Sequence, residues 1–500
     1  MKKNVNLLII LLFLLSACGS SRPQPTSTAT ALPPTVKATD TAEPSATIVP
    51  TQSPTRTPAP QSSSGAAIAS TSPWLIVKAN NGTWIANKDG SGIKLLTDET
   101  NLNIRSSLSP DGSKIAYVSL ALPDEFALPV VQIMSIPDGK ITQVAEVGPK
   151  DKAGNPAPTG PGTPPYEATR GIYYYSPPVW SPDGKTLAFI GAQDGQFSNL
   201  YLYTLADQKI TRLTDSASTF AFQPVWSPGG TWIAYEEANG FGGGSGFDLA
   251  GVWAVHPDGS GAVEPYKLSA STGTELIAEW LDGDTFVVFS WDVMCGAKDL
   301  RTINLSTQKT TMLWGHYFTD YSGMIALDPK SKAVAVSSPG GECNPGVEDG
   351  SYLVRMDGSA PVRLTSSSNL PIKWVPEANA FFMQTDQGIE AYGVDSQKVN
   401  VPPGVMDVPA VAPDGKYWSW SYFSATQTGS EKQGVFVLPA GGTAQKIYAD
   451  LASNVSWAPD GSAVFFSDMT HTLYVAEAPD FTPKPVSSVL SSPMGLYWIK

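Results

Sequence analysis

The stretch Trp180-Ser-Pro-Asp-Gly-Lys-Thr-Leu-Ala-Phe-Ile190 decides the fold. Pro182 pre-sets φ for a turn, Asp183 bonds its own backbone, and Gly184 takes the positive φ that closes it. An apolar residue precedes the turn and an apolar run, 187–190, follows it. The segment therefore reads as two short strands joined tightly. The pattern recurs at 108–118, 226–235, 411–420 and 457–466, with weaker copies starting at Trp280, Leu327 and Trp374. Most starting points lie 37 to 54 residues apart, and the one longer interval carries an insertion at 148–176.

After each such pair comes a third apolar strand, at 131–136, 200–205, 252–255, 352–356, 435–438 and 473–476. A Gly- or Asp-bearing turn then leads to a fourth, as at 209–213 or 362–364. Four short strands per repeat with nothing of helical period between them describe a propeller blade. The apolar-x-Trp-Ser-Pro-Asp-Gly-x-x-Ile-Ala-Tyr motif, well matched at Trp180, Trp226 and Trp457, resembles the TolB-type propeller repeat, also seen in propellers of prolyl oligopeptidase relatives. The resemblance covers 74–500 and implies a fold; such repeats serve many functions. Residues 496–499 read as a first strand with Trp498 in the motif position, and 74–79, 83–87 and 93–96 as second, third and fourth strands. The expectation is an all-β, single propeller of eight or nine four-stranded blades, its ring closed by the C-terminal strand joining the N-terminal blade.

Upstream of the repeats the composition changes. Lys2 and Lys3 head an apolar stretch at 5–15, and Leu15-Ser16-Ala17-Cys18 follows. About a dozen apolar residues behind a basic start read as a signal peptide, being too few to span a bilayer. The segment resembles a bacterial lipobox, which implies a diacylated Cys18 as the mature N-terminus. Residues 19–73 are Thr, Pro, Ser and Ala, a composition that cannot repay its ordering entropy and reads as a disordered tether. The expected domains are thus 1–18 signal and lipobox, 19–73 linker and 74–500 propeller. The expected location is extracytoplasmic, with the lipid on Cys18 as the only membrane contact.

Three cysteines then divide into Cys18 for lipid and Cys295 with Cys343 for a disulfide, since the latter two fall in corresponding loops of neighbouring blades. Losing Lys2 and Lys3 with the signal leaves 30 basic against 45 acidic residues, a formal charge of −15. That balance argues against nucleic acid as a partner. A monomer is expected.

Long connections between second and third strands are read at 120–129, 191–199, 237–250, 291–299, 338–350 and 423–433. Together with 148–176 they emerge on one face of a propeller, where insertions often mark the binding surface. Binding-face candidates are Tyr173, Tyr174, Tyr175, Phe241, Trp291, His316, Tyr317 and Tyr321. Aromatic side chains of this kind anchor protein partners or stack on sugars. No Gly-x-Ser-x-Gly elbow is present, and His256, His316 and His471 sit in different repeats without zinc spacing. Gly240 to Gly246 lacks the Lys-Ser/Thr of a phosphate loop and reads as a flexible tip. No cofactor, metal or catalytic residue is expected. The residues favour a non-catalytic binding or scaffolding module that engages an envelope protein or glycan. The alternative is an extracellular carbohydrate-active enzyme with acidic residues in the propeller funnel.

Overall fold

A computed structural model describes residues 66–98, 106–119, 129–148, 176–193, 197–216, 218–242, 246–267, 274–292, 295–319, 326–367, 372–385, 388–401, 405, 408–422, 433–487, 490, 493 and 495–499. The chain divides into two compact units, Met1–Ala59 and Pro60–Lys500, and every described residue belongs to the second. The expected signal, Cys18 and almost all of the tether lie outside the described residues.

Nine four-stranded antiparallel sheets follow one another along the chain. Blade one is composite: β36 (Gly495–Ile499), β1 (Trp74–Ala79), β2 (Gly82–Asn87) and β3 (Lys94–Thr97). Its register runs from Trp74↔Ile499 to Lys78↔Gly495, so the C-terminal strand completes the N-terminal sheet. The other eight blades are consecutive meanders, β4–β7 (Ser106–Glu146), β8–β11 (Val179–Arg212) and so on to β32–β35 (Ala452–Ser487). The three weaker repeat copies each open a full blade, with first strands β16 (Thr274–Trp280), β20 (Ala326–Asp328) and β24 (Ile372–Val375). The blade count is therefore nine, and the fold is an all-β propeller.

Burial explains why the middle strands read as unbroken apolar runs. A blade in a ring is covered on both faces by its neighbours, so alternation of polar and apolar residues disappears there. In β1, Leu75, Val77 and Ala79 pack against Ala463, Phe465 and Leu473 of blade nine. Trp74 and Ile76 of the same strand pack against Ile115, Tyr117 and Met134 of blade two. Fourth strands instead meet solvent, as in β7 (Ile141–Glu146), where only Ala145 is fully buried.

First strands touch one another around the axis, and at five junctions a motif tryptophan ties one to the last. Trp180 Nε1 donates to Ser107 O at 3.2 Å, Trp226 to Val179 O at 3.2 Å, and Trp280 to Val225 O at 3.3 Å. Trp457 donates to Ala410 O at 3.1 Å, and the closing Trp498 to Ser456 Oγ at 3.2 Å. Every acceptor belongs to the residue just before the motif position of the preceding blade. The tryptophan thus fills the inter-blade gap and gives its N–H to an oxygen of the preceding first strand, a carbonyl in four cases and the Ser456 hydroxyl in the fifth.

The Ser-Pro-Asp-Gly turn is held by its own side chains. Ser181 Oγ donates to Asp183 Oδ1 at 2.7 Å and accepts from Thr186 N at 3.0 Å, while Lys185 N donates to the same carboxylate oxygen at 3.1 Å. Blade two repeats this at Ser109, Asp111 and Lys114. The Ser109 hydroxyl, followed by the Ser113 amide, draws the Asp111 carboxyl down to about 2. The glycines at the end of five such turns have φ of 68° to 71°, the region where a side chain is strained.

Two connections read as loops are strand instead. In blade four, β13 (Ile233–Gly242) and β14 (Gly246–Val255) pair out to Gly242↔Gly246, so residues 237–242 and 246–250 are strands of a lengthened hairpin, while 243–245 lie outside the described residues. In blade five, β17 (Thr285–Asp292) and β18 (Gly296–Asn304) likewise consume most of 291–299. Glycine lacks the side chain that would have shown alternation, yet its backbone completes a ladder as well as any other.

Trp180→Phe keeps the packing and removes one N–H, leaving the Ser107 carbonyl without its donor. The expected loss is about 1–2 kcal/mol in urea unfolding at constant m-value. A change below about 0.3 kcal/mol would show that the belt of indole bonds adds nothing to the ring.

Candidate functional site

The described part of the long-loop face is best defined between blades five and six. Cys295, just ahead of β18, is joined by a disulfide to Cys343 in the connection between β21 (Ala333–Ser338) and β22 (Gly350–Arg355), with Cα atoms 5.8 Å apart. The bridge spans 48 residues of sequence. Closing a loop of that size stabilises by about 4 kcal/mol in the chain-entropy view.

A second staple is made by the backbone. The chain leaves β19 (Lys309–Trp314) and crosses to blade six through residues 315–319. Phe318 N donates to Ala297 O and Thr319 N to Ser337 O, each at 2.7 Å, so the crossing segment bridges both blades. Phe318 is fully buried, its ring 5.8 Å from that of Phe289.

Asn344 is the third staple, and it is 98 % buried in the sense that only 2 % of its surface is exposed. Its Oδ1 accepts from Tyr317 N at 2.8 Å while its Nδ2 donates to Tyr317 O at 2.8 Å, Ser338 Oγ at 3.0 Å and Pro339 O at 2.9 Å. One amide side chain therefore mimics a strand partner for Tyr317. A buried amide whose oxygen and nitrogen are both engaged fixes geometry strongly.

Fixed by these links, Tyr317 holds its half-buried ring at the surface. Lys298 Nζ lies 5.2 Å from the ring centre and 3.4 Å from Oη. Beside it, His316 is exposed and meets Trp314 edge-on at 5.3 Å between ring centres. The result is an ammonium, a phenol and an imidazole on one rigid patch. Such a patch offers hydrogen-bond donors and an aromatic surface to a partner.

Other sequence candidates fall elsewhere. Trp291 lies on β17, pairs with Ala297 and packs against the core of blade five, so it belongs to the strand and not to a loop. Of Phe241 the backbone alone is described, on β13. Cys18, Tyr173, Tyr174, Tyr175 and Tyr321 lie outside the described residues. His256 stacks on Trp232 at 3.6 Å with Nδ1 2.8 Å from Thr231 O, an arrangement of a turn flank. His471 sits at φ 67° in the turn after β33 (Ala463–Asp468). Among the described residues no group of three His, Cys, Asp or Glu is placed to hold a metal. Asn344 and Lys298 escaped the sequence reading. The one local signal was Asn344 directly following a bridged cysteine.

The channel side carries one carboxyl of note. Glu279 lies on β16, the innermost strand of blade five, and burial raises its carboxyl above the ordinary range. Glu237 on β13 is raised the same way, chiefly by burial, against a lowering bond from Thr219.

No family model matches the chain. An uncharacterized peptidase of Bacillus subtilis, YuxL, is 38% identical over 65 residues, which is 13% of this chain and 10% of that protein. The chain thus matches a tenth of that relative's length. Among solved structures, a eukaryotic initiation factor is 10% identical over 86% of this chain and 98% of its own, with a TM-score of 0.52. TolB from Acinetobacter baumannii is 15% identical over 58% of this chain and 62% of its own, with a TM-score of 0.32. The likeness to the initiation factor is one of fold.

Asn344→Ala removes both hydrogen bonds that frame the Tyr317 peptide. The Tyr317 amide is then expected to exchange hydrogen at least about tenfold faster, with blade cores unaffected. Unchanged protection at Tyr317 would show that the disulfide and the backbone bridges hold the patch without the amide.

Proposed function

We propose that this chain is a non-catalytic binding or scaffolding module that engages an envelope protein or glycan through the long-loop face of its propeller. The observation that carries the reading is the triple stapling of that face between blades five and six. A disulfide, a two-blade backbone bridge and a buried Asn344 hold a surface that carries exposed His316 and half-buried Tyr317 and Lys298. Pre-organisation of this kind lowers the ordering cost of association, and Tyr is a frequent contact anchor. The remainder of the reading is cellular: Cys18 carries lipid, and 19–73 holds the propeller away from the bilayer on the extracytoplasmic side.

An extracellular carbohydrate-active enzyme is the second reading, and it is supported by Glu279, a carboxyl on the first strand of blade five that is raised above its ordinary range. A glycosidase needs a second carboxyl within about 5–10 Å.

The test is an affinity pull-down in which the full chain is the bait in solubilised envelope. A partner should be enriched by the native chain, lost at least tenfold with Tyr317→Ala plus His316→Ala, and retained by Lys185→Ala on the opposite, turn-bearing face (about tenfold corresponding to about 1.4 kcal/mol). Equal recovery by all three baits removes the proposed surface. Glycan hydrolysis abolished by Glu279→Gln would put the enzyme reading in its place.

A further inference from the structure

The ring-closure seam holds a cleft of about 470 Å³, far from the patch on blades five and six. It runs along blades nine, one and two and is walled by Ile76, Leu108, Ile115, Ser456 and, from β36, Leu496 to Ile499. The size falls in the range of small-molecule sites, and the wall is mostly apolar. Tyr497, on β36, is 51% exposed, a large ring left uncovered on an innermost strand.

Lys78 lines this cleft, and its place there is unusual. It continues the row of Trp74 and Ile76 on β1, which packs into the apolar interface with blade two. Only 5% of it is exposed. No hydrogen bond or ion pair joins it to any described residue, and burial alone acts on its amine, lowering it to about 8. Its amine is not one of the fully buried polar atoms, so the buried stem delivers the charged end to the cleft, where a counter-charge can reach it. Thr83, opposite it on β2, and Ser106 of blade two place hydroxyl groups in the same lining.

We infer that the seam cleft is a binding site for a small carboxylate with an apolar, ring-bearing body, whose head group is met by the Lys78 ammonium. The body lies against Leu108, Ile115 and the β36 side chains, and the hydroxyl of Ser106 supplies a further donor. One cation in an apolar wall selects a single negative charge; a polyanion would leave charges buried without partners. Seating a ligand on both β36 and blade two also ties the closing strand to its neighbour, so occupancy stabilises the ring by mass action.

Calorimetric titration of the full chain with 2-naphthoate tests this directly, with neutral 2-naphthamide as the charge-free probe of the same shape. The native chain should bind 2-naphthoate at least tenfold more tightly than 2-naphthamide, and its unfolding temperature should rise with added 2-naphthoate. Lys78→Met should keep the fold and lose at least tenfold in 2-naphthoate affinity, while leaving 2-naphthamide binding within threefold. Equal affinity of the native chain for the two probes overturns the inference whatever the variant does. So does an undiminished 2-naphthoate affinity in folded Lys78→Met, or no binding of 2-naphthoate at all.

Discussion

Pairing of β36 with β1 is the interaction on which the rest of the ring depends. Eight blades are built from consecutive strands and need nothing from elsewhere in the chain, but blade one lacks a first strand until residues 495–499 supply it. Without it the inner edge of β1 presents unpaired N–H and C=O groups, and an open edge invites pairing with another chain. The strand also brings Trp498, whose indole meets Phe465 at 5.2 Å and bonds Ser456 of blade nine. The last motif tryptophan thus makes at the closing seam the same kind of bond that Trp180 makes between blades two and three. Closure converts nine locally folded sheets into one body whose neighbours cover both faces of each blade.

A closed ring is stiff, and stiffness is what its loops borrow. Segments leaving a blade on the long-loop face start from strand ends that cannot move far apart. Small additional links then suffice to fix a surface: one disulfide, two backbone bonds and a single buried amide between blades five and six. The turn face is different in kind. Its Ser-Asp-Gly turns satisfy themselves through side chain and backbone, as at Ser181 and Asp183, and expose carboxylates already occupied by local donors. The two faces therefore differ in construction: self-contained turns on one, and a stapled surface on the other.

Much of this was legible in the sequence. The Pro-Asp-Gly turn is a local code, and its recurrence announced the propeller, even where Leu327-Asp-Pro-Lys departs from it. The composite first blade was legible too, because Trp498 stands in a motif position with no turn after it. Blade four was misread because glycines at 240–246 erase the alternation that marks a strand, whereas a ladder needs only backbone. Asn344 was invisible for another reason. Its partner Tyr317 lies 27 residues away, and nothing local distinguishes a clamping asparagine from a turn asparagine. Lys78 left a trace that went unread: one lysine inside Trp74-Leu-Ile-Val-Lys-Ala79, a run otherwise apolar throughout.

Closure of the ring by β36 is tested most directly by removing residues 495–500 and comparing urea unfolding and amide exchange with the full chain. A ring closed by that strand loses at least about 4 kcal/mol, and the β1 amides that faced β36 lose protection. The same unfolding midpoint, with β1 amides as protected as before, would contradict it.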